Sequence, residues 1–127
     1  MIIPDNLKYS NDHEWVSVDG NVAKIGITDY AQGELGDIVF IDIDPDLSEI
    51  TKGEPFGTIE AVKTVSDLFG PVTGKVTEFN TTILDSPELI NTDPYGEGWM
   101  LKVEIADPLE IDVLLDSTAY KELLGQQ

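Results

Sequence analysis

The sequence predicts a mainly β protein, in which two β-sheets pack together as a sandwich or flattened barrel with short helices around them. Three observations predict this fold class: apolar and polar residues alternate in several short segments, turn-forming residues separate these segments, and two parts of the chain resemble each other. A chain of 127 residues suits one compact domain, so we expect a single domain over residues 1–127.

The strand pattern is clearest at residues 99–106, where apolar positions from Trp99 to Ile105 alternate with their neighbours. Residues 22–28 alternate in the same way. Residues 38–43 are almost continuously apolar, which is typical of a strand that is covered on both faces. Further short strands are expected at 14–18, 56–62, 65–69 and 74–79.

Helices are expected to be few and short. Residues 29–35 have Asp29 as their predicted N-cap, residues 86–90 begin with a Ser-Pro pair, and Asp116 and Gly125 bracket a C-terminal helix. We expect these short helices to connect the strands of a β core.

A faint internal repeat supports the paired sheets. Residues 20–25 resemble residues 70–76, and residues 36–43 resemble residues 98–105. Two similar β halves would be related by a quasi-twofold axis and would pack as two sheets.

The composition excludes several classes of function. The chain has 25 acidic residues against 7 lysines and no arginine, which gives a formal net charge of −18. This charge argues against nucleic acid and anionic membranes as partners, favours a soluble monomer, and could steer the chain towards partners with basic surfaces. With no cysteine, the chain has neither disulfides nor thiolate chemistry.

No segment of the sequence predicts a membrane helix, since the apolar run at 38–41 is far shorter than the ~20 residues that a span needs. Residues 1–5 show none of the patterns of a signal or transit peptide. We therefore expect a cytoplasmic protein, with a processed organellar protein as the alternative.

Enzyme and metal motifs are weak. His13 is the only histidine, and the sequence has no nucleophile elbow and no glycine-rich phosphate loop, so no catalytic residue is predicted. The aspartates at 42–46 resemble the start of a calcium loop, but Leu47 stands where the loop requires glycine and Gly53 where it requires glutamate. We expect a solvated acidic turn there and no metal site.

One lysine has a distinctive setting. Strand-forming arms at 56–62 and 65–69 would place Lys63 at the tip of a tight hairpin, where its amine is exposed to a modifying enzyme. On the hairpin alone, an ordinary surface lysine is the favoured interpretation.

The segment Glu-Ala-Val-Lys-Thr-Val-Ser-Asp at 60–67, followed by Gly-Pro-Val-Thr-Gly-Lys-Val at 70–76, resembles the lipoyl-attachment region of the H-protein family of the glycine cleavage system. The family more often has Ser, Ala and a nearby Tyr where this chain has Ala61, Thr64 and Phe69, and none of these departures removes the acceptor lysine. The resemblance spans about Tyr9 to Leu124, with blocks at 12–16, 26–32, 35–40 and 91–100.

The resemblance implies a lipoyl/biotinyl-like flattened barrel and a carrier that catalyses no reaction itself. It implies lipoate in amide linkage on Lys63, as N6-lipoyllysine. The implied partners are the pyridoxal-phosphate glycine decarboxylase (P protein), the tetrahydrofolate-dependent aminomethyltransferase (T protein), the flavin dihydrolipoamide dehydrogenase (L protein) and a lipoate-attaching enzyme.

By the same resemblance, Asp12, Glu14 and Asp67 are expected to face the loaded arm, whose aminomethyl group is cationic near neutral pH; the alternative is that they are ordinary surface acids. Trp15 and Trp99 are expected in the core. His13 is expected to be structural, and Gly74 is expected to serve the backbone geometry behind the hairpin.

The sequence is also compatible with other functions. An H-like protein that relays lipoyl groups, or an interaction module, would use the same lysine. A biotinyl carrier is disfavoured because its Met-Lys-Met signature is replaced here by Val62 and Thr64 around the lysine. A lipoyl domain of a 2-oxoacid dehydrogenase is also disfavoured, because such a domain usually reads Asp-Lys-Ala and sits within a longer chain.

Overall fold

A computed structural model describes residues 1–125 and confirms the mainly β fold class with short helices. No helix within this range is long and apolar enough to cross a membrane. The nine strands of these residues are β1 (Lys8–Tyr9), β2 (Glu14–Asp19), β3 (Val22–Ile27), β4 (Ile38–Asp42), β5 (Glu49–Ile50), β6 (Pro55–Ala61), β7 (Val65–Phe69), β8 (Gly74–Phe79) and β9 (Leu101–Ile105). The five helices are α1 (Asp29–Leu35), α2 (Thr82–Asp85), α3 (Leu89–Thr92), α4 (Leu109–Asp112) and α5 (Ser117–Leu123).

The strands form two antiparallel sheets. The larger sheet has six strands in the order β1-β2-β3-β9-β8-β5, and the smaller has three in the order β4-β6-β7. The main core is drawn from both sheets and includes Ile25, Ile59 and Leu101, each at most 1% exposed. A second apolar cluster joins β1, β2 and α5 around Tyr9, Trp15 and Tyr120.

The predicted alternation is confirmed in β3 and in most of β9. The prediction is wrong at Trp99, because β9 begins at Leu101 and Met100 takes the buried position with 1% exposure. Trp99 is half-buried, with the ammonium groups of Lys24 and Lys102 at 5.9 Å and 5.2 Å from its ring. Trp15 is 1% exposed, as predicted for a core residue.

The prediction that residues 38–43 are covered on both faces is wrong. Val39 and Phe40 are 46% and 52% exposed. The register of β4 against β6 shifts between Ile38 and Phe40, so two consecutive side chains reach the surface. The run of apolar residues at 38–43 therefore gives the smaller sheet an apolar outer surface, and no second layer of structure covers this surface within the described residues.

Two helix starts differ from the predictions. Thr28, not Asp29, caps α1, because its hydroxyl accepts a hydrogen bond from the Ala31 amide at 3.2 Å. The third helix begins at Leu89, later than the predicted Ser-Pro start, and the four-residue helices α2 and α4 were not predicted. The C-terminal helix has the predicted cap, since the carboxylate of Asp116 accepts from the Ala119 amide at 2.8 Å.

The segments paired by the sequence repeat are not placed equivalently. β3 and β4, which overlap the first copies of the repeated segments, lie in different sheets. β8 and β9, which overlap the second copies, are neighbours in the larger sheet. The repeat thus reflects a shared strand-forming composition and does not map these strands onto each other.

Candidate functional site

Lys63 lies in the short connection between β6 and β7, at the tip of the predicted hairpin. The Ala61 amide donates to the Thr64 carbonyl at 2.8 Å, which closes the turn tightly around the lysine. The Val62 amide donates to the Asp37 carbonyl at 3.0 Å and ties the turn to the loop before β4. Lys63 and both its neighbours are exposed, so the amine is presented to solvent on a fixed backbone.

A cavity of about 160 Å³ lies beside this hairpin, between the start of β2, helix α1 and strand β7. Its apolar lining comes from the core side of the sheets and from α1, and its polar lining comes mainly from carboxylates. The three acids predicted from the sequence, Asp12, Glu14 and Asp67, all line this cavity, together with His13 and Glu34. The fold therefore brings together acids that are separated by more than fifty residues in the chain.

Glu14 is buried, with 2% exposure, so the alternative of an ordinary surface acid is wrong for this residue. One carboxylate oxygen accepts from the Ser10 hydroxyl at 2.8 Å, and the other accepts from the Phe69 amide at 3.2 Å. Both hydrogen bonds favour the ionised form, but burial outweighs them and raises the pKa of Glu14 to about 8. Glu14 is thus a buried carboxyl group that keeps its proton to a higher pH than an exposed glutamate does.

Asp12 and Asp67 are exposed residues at the border of the cavity. Asp67 pairs with Thr58 across the smaller sheet, while Ser66 pairs with Ile59, a core residue that is 1% exposed. Because directly paired residues share a face of the sheet, Ser66 lies on the same face of β7 as buried Leu68, and it is exposed where that face lines the cavity. The sequence reasoning missed Ser66, although strict alternation along β7 could have identified it.

His13 has the structural setting that the sequence predicted. It has a positive φ of 66°, and its Nδ1 lies 3.0 Å from the hydroxyl of Tyr120 on α5. Its ring also packs against Tyr30 of α1, with 4.8 Å between the ring centres. Burial lowers the pKa of His13, so the imidazole is neutral at neutral pH and does not offset the acids around the cavity.

Helix α5 supports the cavity through the same hydroxyl. The oxygen of Tyr120 lies 2.8 Å from Oγ1 of Thr28, the cap of α1, and its ring stacks on Tyr9 with 4.6 Å between centres. The sequence analysis predicted the C-terminal helix that carries Tyr120 but assigned this residue no role. Its link to Thr28 and His13 spans about a hundred residues and had no local signal.

Comparisons with known proteins agree on one family. The family model described as Glycine cleavage H-protein matches residues 7–127. The glycine cleavage system H protein of Staphylococcus haemolyticus (strain JCSC1435) is 53% identical over 126 residues, which cover 99% of this chain and 100% of that protein. The crystal structure of a glycine cleavage system H protein from Mycobacterium marinum superposes with a TM-score of 0.87 at 37% identity, and the match covers 97% of this chain and 99% of the other. The chain belongs to the glycine cleavage H-protein family, whose members are non-catalytic lipoyl carriers of the glycine cleavage system.

Proposed function

We propose that Lys63 is the attachment site of lipoate, held in amide linkage to its Nζ, and that residues 1–127 act as one lipoyl-binding domain. The observation that carries this proposal is the position of Lys63, exposed on a hydrogen-bonded hairpin tip beside a cavity lined by carboxylates. A rigid tip with a free amine suits an enzyme that must recognise and acylate one lysine among seven.

The cavity suits an arm that rests on the carrier and leaves again. Burial of each CH₂ group gives ~0.8 kcal/mol, whereas immobilising a flexible side chain costs ~0.5–1.5 kcal/mol. Acylation also removes the charge of Lys63, so its stem can lie against apolar surface such as Ile27 and Leu35, which line the cavity. We therefore infer weak, reversible docking, which lets a partner enzyme withdraw the arm.

The acids of the cavity determine which form of the lipoyl arm docks there. Lipoate, when attached, supplies a disulfide that takes up and releases a one-carbon unit and a pair of electrons. Asp12 and Asp67 at the border favour a cationic amine over an uncharged group. Buried Glu14 responds to such a cation by losing its proton, because a nearby positive charge stabilises the carboxylate. These three residues are the proposed contacts for an aminomethyl group.

The proposed partners follow from membership of the glycine cleavage system. We infer that the chain takes the aminomethyl group from the pyridoxal-phosphate decarboxylase and delivers it to the tetrahydrofolate-dependent aminomethyltransferase. The flavin dihydrolipoamide dehydrogenase then restores the disulfide. A net charge of −18 favours partners whose docking surfaces are basic.

The first test is lipoate attachment. The unmodified protein is incubated with a lipoate ligase, ATP and free lipoate, and its intact mass and modified peptide are determined. We expect one lipoyl group on Lys63. Lys63→Arg should accept none, whereas Lys75→Arg, which changes an exposed lysine in β8, should be modified like the wild type.

The second test measures glycine–bicarbonate exchange after each variant has been incubated with the lipoate ligase. Lys63→Arg should fail to support glycine–bicarbonate exchange with its partner enzymes, and Lys75→Arg should support it fully. Exchange by Lys63→Arg at the wild-type rate would show that another residue carries the group. An unmodified Lys63 in the folded wild type would instead favour an H-like interaction module.

A further inference from the structure

The hydroxyl group of Ser10 occupies a fixed position between the backbone and the carboxyl group of Glu14. Its oxygen accepts hydrogen bonds from the amides of Asp12 and Glu14, both at 3.2 Å. The same hydroxyl group donates to Oε1 of Glu14 at 2.8 Å. Ser10 is 9% exposed and Glu14 is 2% exposed, so these contacts are largely shielded from water.

These contacts use the whole hydrogen-bonding capacity of the Ser10 hydroxyl group. A serine hydroxyl group has one proton to donate and two lone pairs that accept. Because the two amides occupy both lone pairs, only the proton remains for Glu14. The second partner of the carboxyl group, the Phe69 amide, is also a donor. Within residues 1–125, the groups that bond to this carboxyl group therefore match a carboxylate and leave no acceptor for a carboxyl proton.

Burial acts on Glu14 in the opposite direction. Burial, with a smaller contribution from the charge of Asp12, raises the pKa of Glu14 to about 8 in spite of the hydrogen bonds from Ser10 and Phe69. The carboxyl group therefore holds a proton at neutral pH, although its donors are already placed for the ionised form. A cation in the cavity would shift this balance to the carboxylate, because a nearby positive charge stabilises it.

Other titratable groups around Glu14 stay unchanged when Ser10 is varied. They come from the loop before β2, from α1, from β7 and from α5 behind the loop, and they are Asp12, His13, Tyr30, Glu34, Asp67 and Tyr120. The two donors to the carboxyl group within the described part of the chain are Ser10 and the Phe69 amide. Because the Phe69 donor belongs to the backbone, substitution of Ser10 is the direct way to remove a donor from Glu14.

We propose that Ser10 is a positioning residue for the loaded lipoyl arm, because its anchored hydroxyl group orients the Glu14 carboxyl group and stabilises the carboxylate that pairs with a cationic aminomethyl group. The proposal rests on the proposed function of Lys63 and of the cavity beside it. Ser10 does not line this cavity, so it acts through Glu14. The preference of the cavity for the loaded arm thus depends on a serine that the arm does not touch.

The first measurement is the ionisation of Glu14, which needs no lipoate. The chemical shift of the Glu14 carboxyl carbon is followed by NMR over the pH range of its titration. Ser10→Ala should have an ionisation constant about tenfold smaller than the wild type, because a hydrogen bond to a charged group is lost. Ser10→Thr keeps the hydroxyl group and should titrate like the wild type, since a second cavity of about 130 Å³ beside Ser10 has room for the methyl group. Ser17→Ala is the matched control, a serine of β2 that pairs with Lys24.

The second measurement uses protein that has been lipoylated on Lys63 and loaded from glycine by the decarboxylase. Spontaneous loss of the aminomethyl group, followed as released formaldehyde, reports how often the arm leaves the cavity. Release from the wild type should slow as the pH rises and Glu14 ionises. In Ser10→Ala this change should come at a higher pH, so that between the two transitions release is up to about tenfold faster than from the wild type. Ser10→Thr and Ser17→Ala should follow the wild type.

An unchanged ionisation constant of Glu14 in Ser10→Ala would overturn the proposal. Release from Ser10→Ala that equals the wild-type rate at every pH would also overturn it. So would release that is faster by the same factor at every pH, since a general destabilisation of the loop has this effect. Cooperative urea unfolding confirms that each variant is folded. Failure of the wild type to accept lipoate on Lys63 would remove the proposed function, and this inference with it, whereas the titration would still show whether Ser10 sets the ionisation of Glu14.

Discussion

The Phe69 amide donates a hydrogen bond to the carboxylate of Glu14 at 3.2 Å. This contact joins β2 of the larger sheet to β7 of the smaller one, at the end of β7 that is farther from Lys63. A buried carboxyl group thus links the two sheets where the cavity lies, so its protonation state affects both the stability of the fold and the charge beside the cavity.

Glu14 should make stability fall as the pH rises. Its pKa is raised from 4.5 to about 8 in the folded protein, so the unfolded chain releases this proton at a lower pH than the folded one. The stabilisation is complete below pH 4.5 and is lost as the pH rises through about 8. Because one pKa unit corresponds to about 1.36 kcal/mol, wild type should lose a few kcal/mol relative to Glu14→Gln over this range.

Urea unfolding of wild type and Glu14→Gln at several pH values measures this difference. Glu34→Gln is the control, since Glu34 lines the same cavity but is exposed. Parallel stability curves for wild type and Glu14→Gln between pH 4.5 and 8 would contradict the raised pKa.

Removing the hydroxyl of Tyr120 should destabilise the fold around the cavity. Tyr120→Phe takes away the partner of Thr28 Oγ1 and of His13 Nδ1. We expect a loss of about 1–2 kcal/mol in the free energy of unfolding, the usual effect of breaking a buried hydrogen bond. Tyr30→Phe, another tyrosine beside the cavity, should cost less. Equal urea midpoints for wild type and Tyr120→Phe would show that this hydroxyl contributes nothing.

Two glycine substitutions should have opposite effects. A Cβ on Gly74 would overlap the carbonyl oxygen of Glu104 and lie 3.2 Å from Cβ of Val103, so the two strands would have to separate. Gly74→Ala should therefore destabilise the fold by about 1–3 kcal/mol. Gly33 lies in α1 with no atom within 4 Å of an added Cβ, so Gly33→Ala should stabilise by up to about 1 kcal/mol. Thermal unfolding of both variants tests these signs, and stabilisation by Gly74→Ala would contradict the close approach.

Association with the decarboxylase should weaken as salt rises. The net charge of −18 acts over a Debye length of ~10 Å at 0.1 M salt, so screening slows steered encounter. Stopped-flow association rates between about 0.05 and 0.5 M salt measure this effect. A variant with Asp42, Asp44 and Asp46 changed to Asn should have a lower rate and a shallower slope. Rates that do not change with salt would exclude steering by the charge of the chain.

Local sequence predicted the elements whose causes are local. The hairpin that presents Lys63 follows from two short strand-forming arms and a tight connection. The C-terminal helix follows from its Asp116 cap. Alternation predicted β3 and the buried face of β9 from Leu101 onward. The predicted N-cap of α1 was wrong by one residue. Thr28 and Asp29 are both residue types that cap helices, and the backbone conformation places the side chain of Thr28, not that of Asp29, at the Ala31 amide.

The sequence by itself determined the fold class, the hairpin lysine and, through the resemblance of several motifs, the family. Only the tertiary structure decided that Glu14 is buried with a raised pKa, that Tyr120 bonds to the cap of α1, and that Phe40 lies exposed beside Glu60. The physical reason is that turns, caps and alternation act between residues close in the chain. Burial and strand register arise from contacts between distant segments, and a residue's own neighbours in sequence do not encode them.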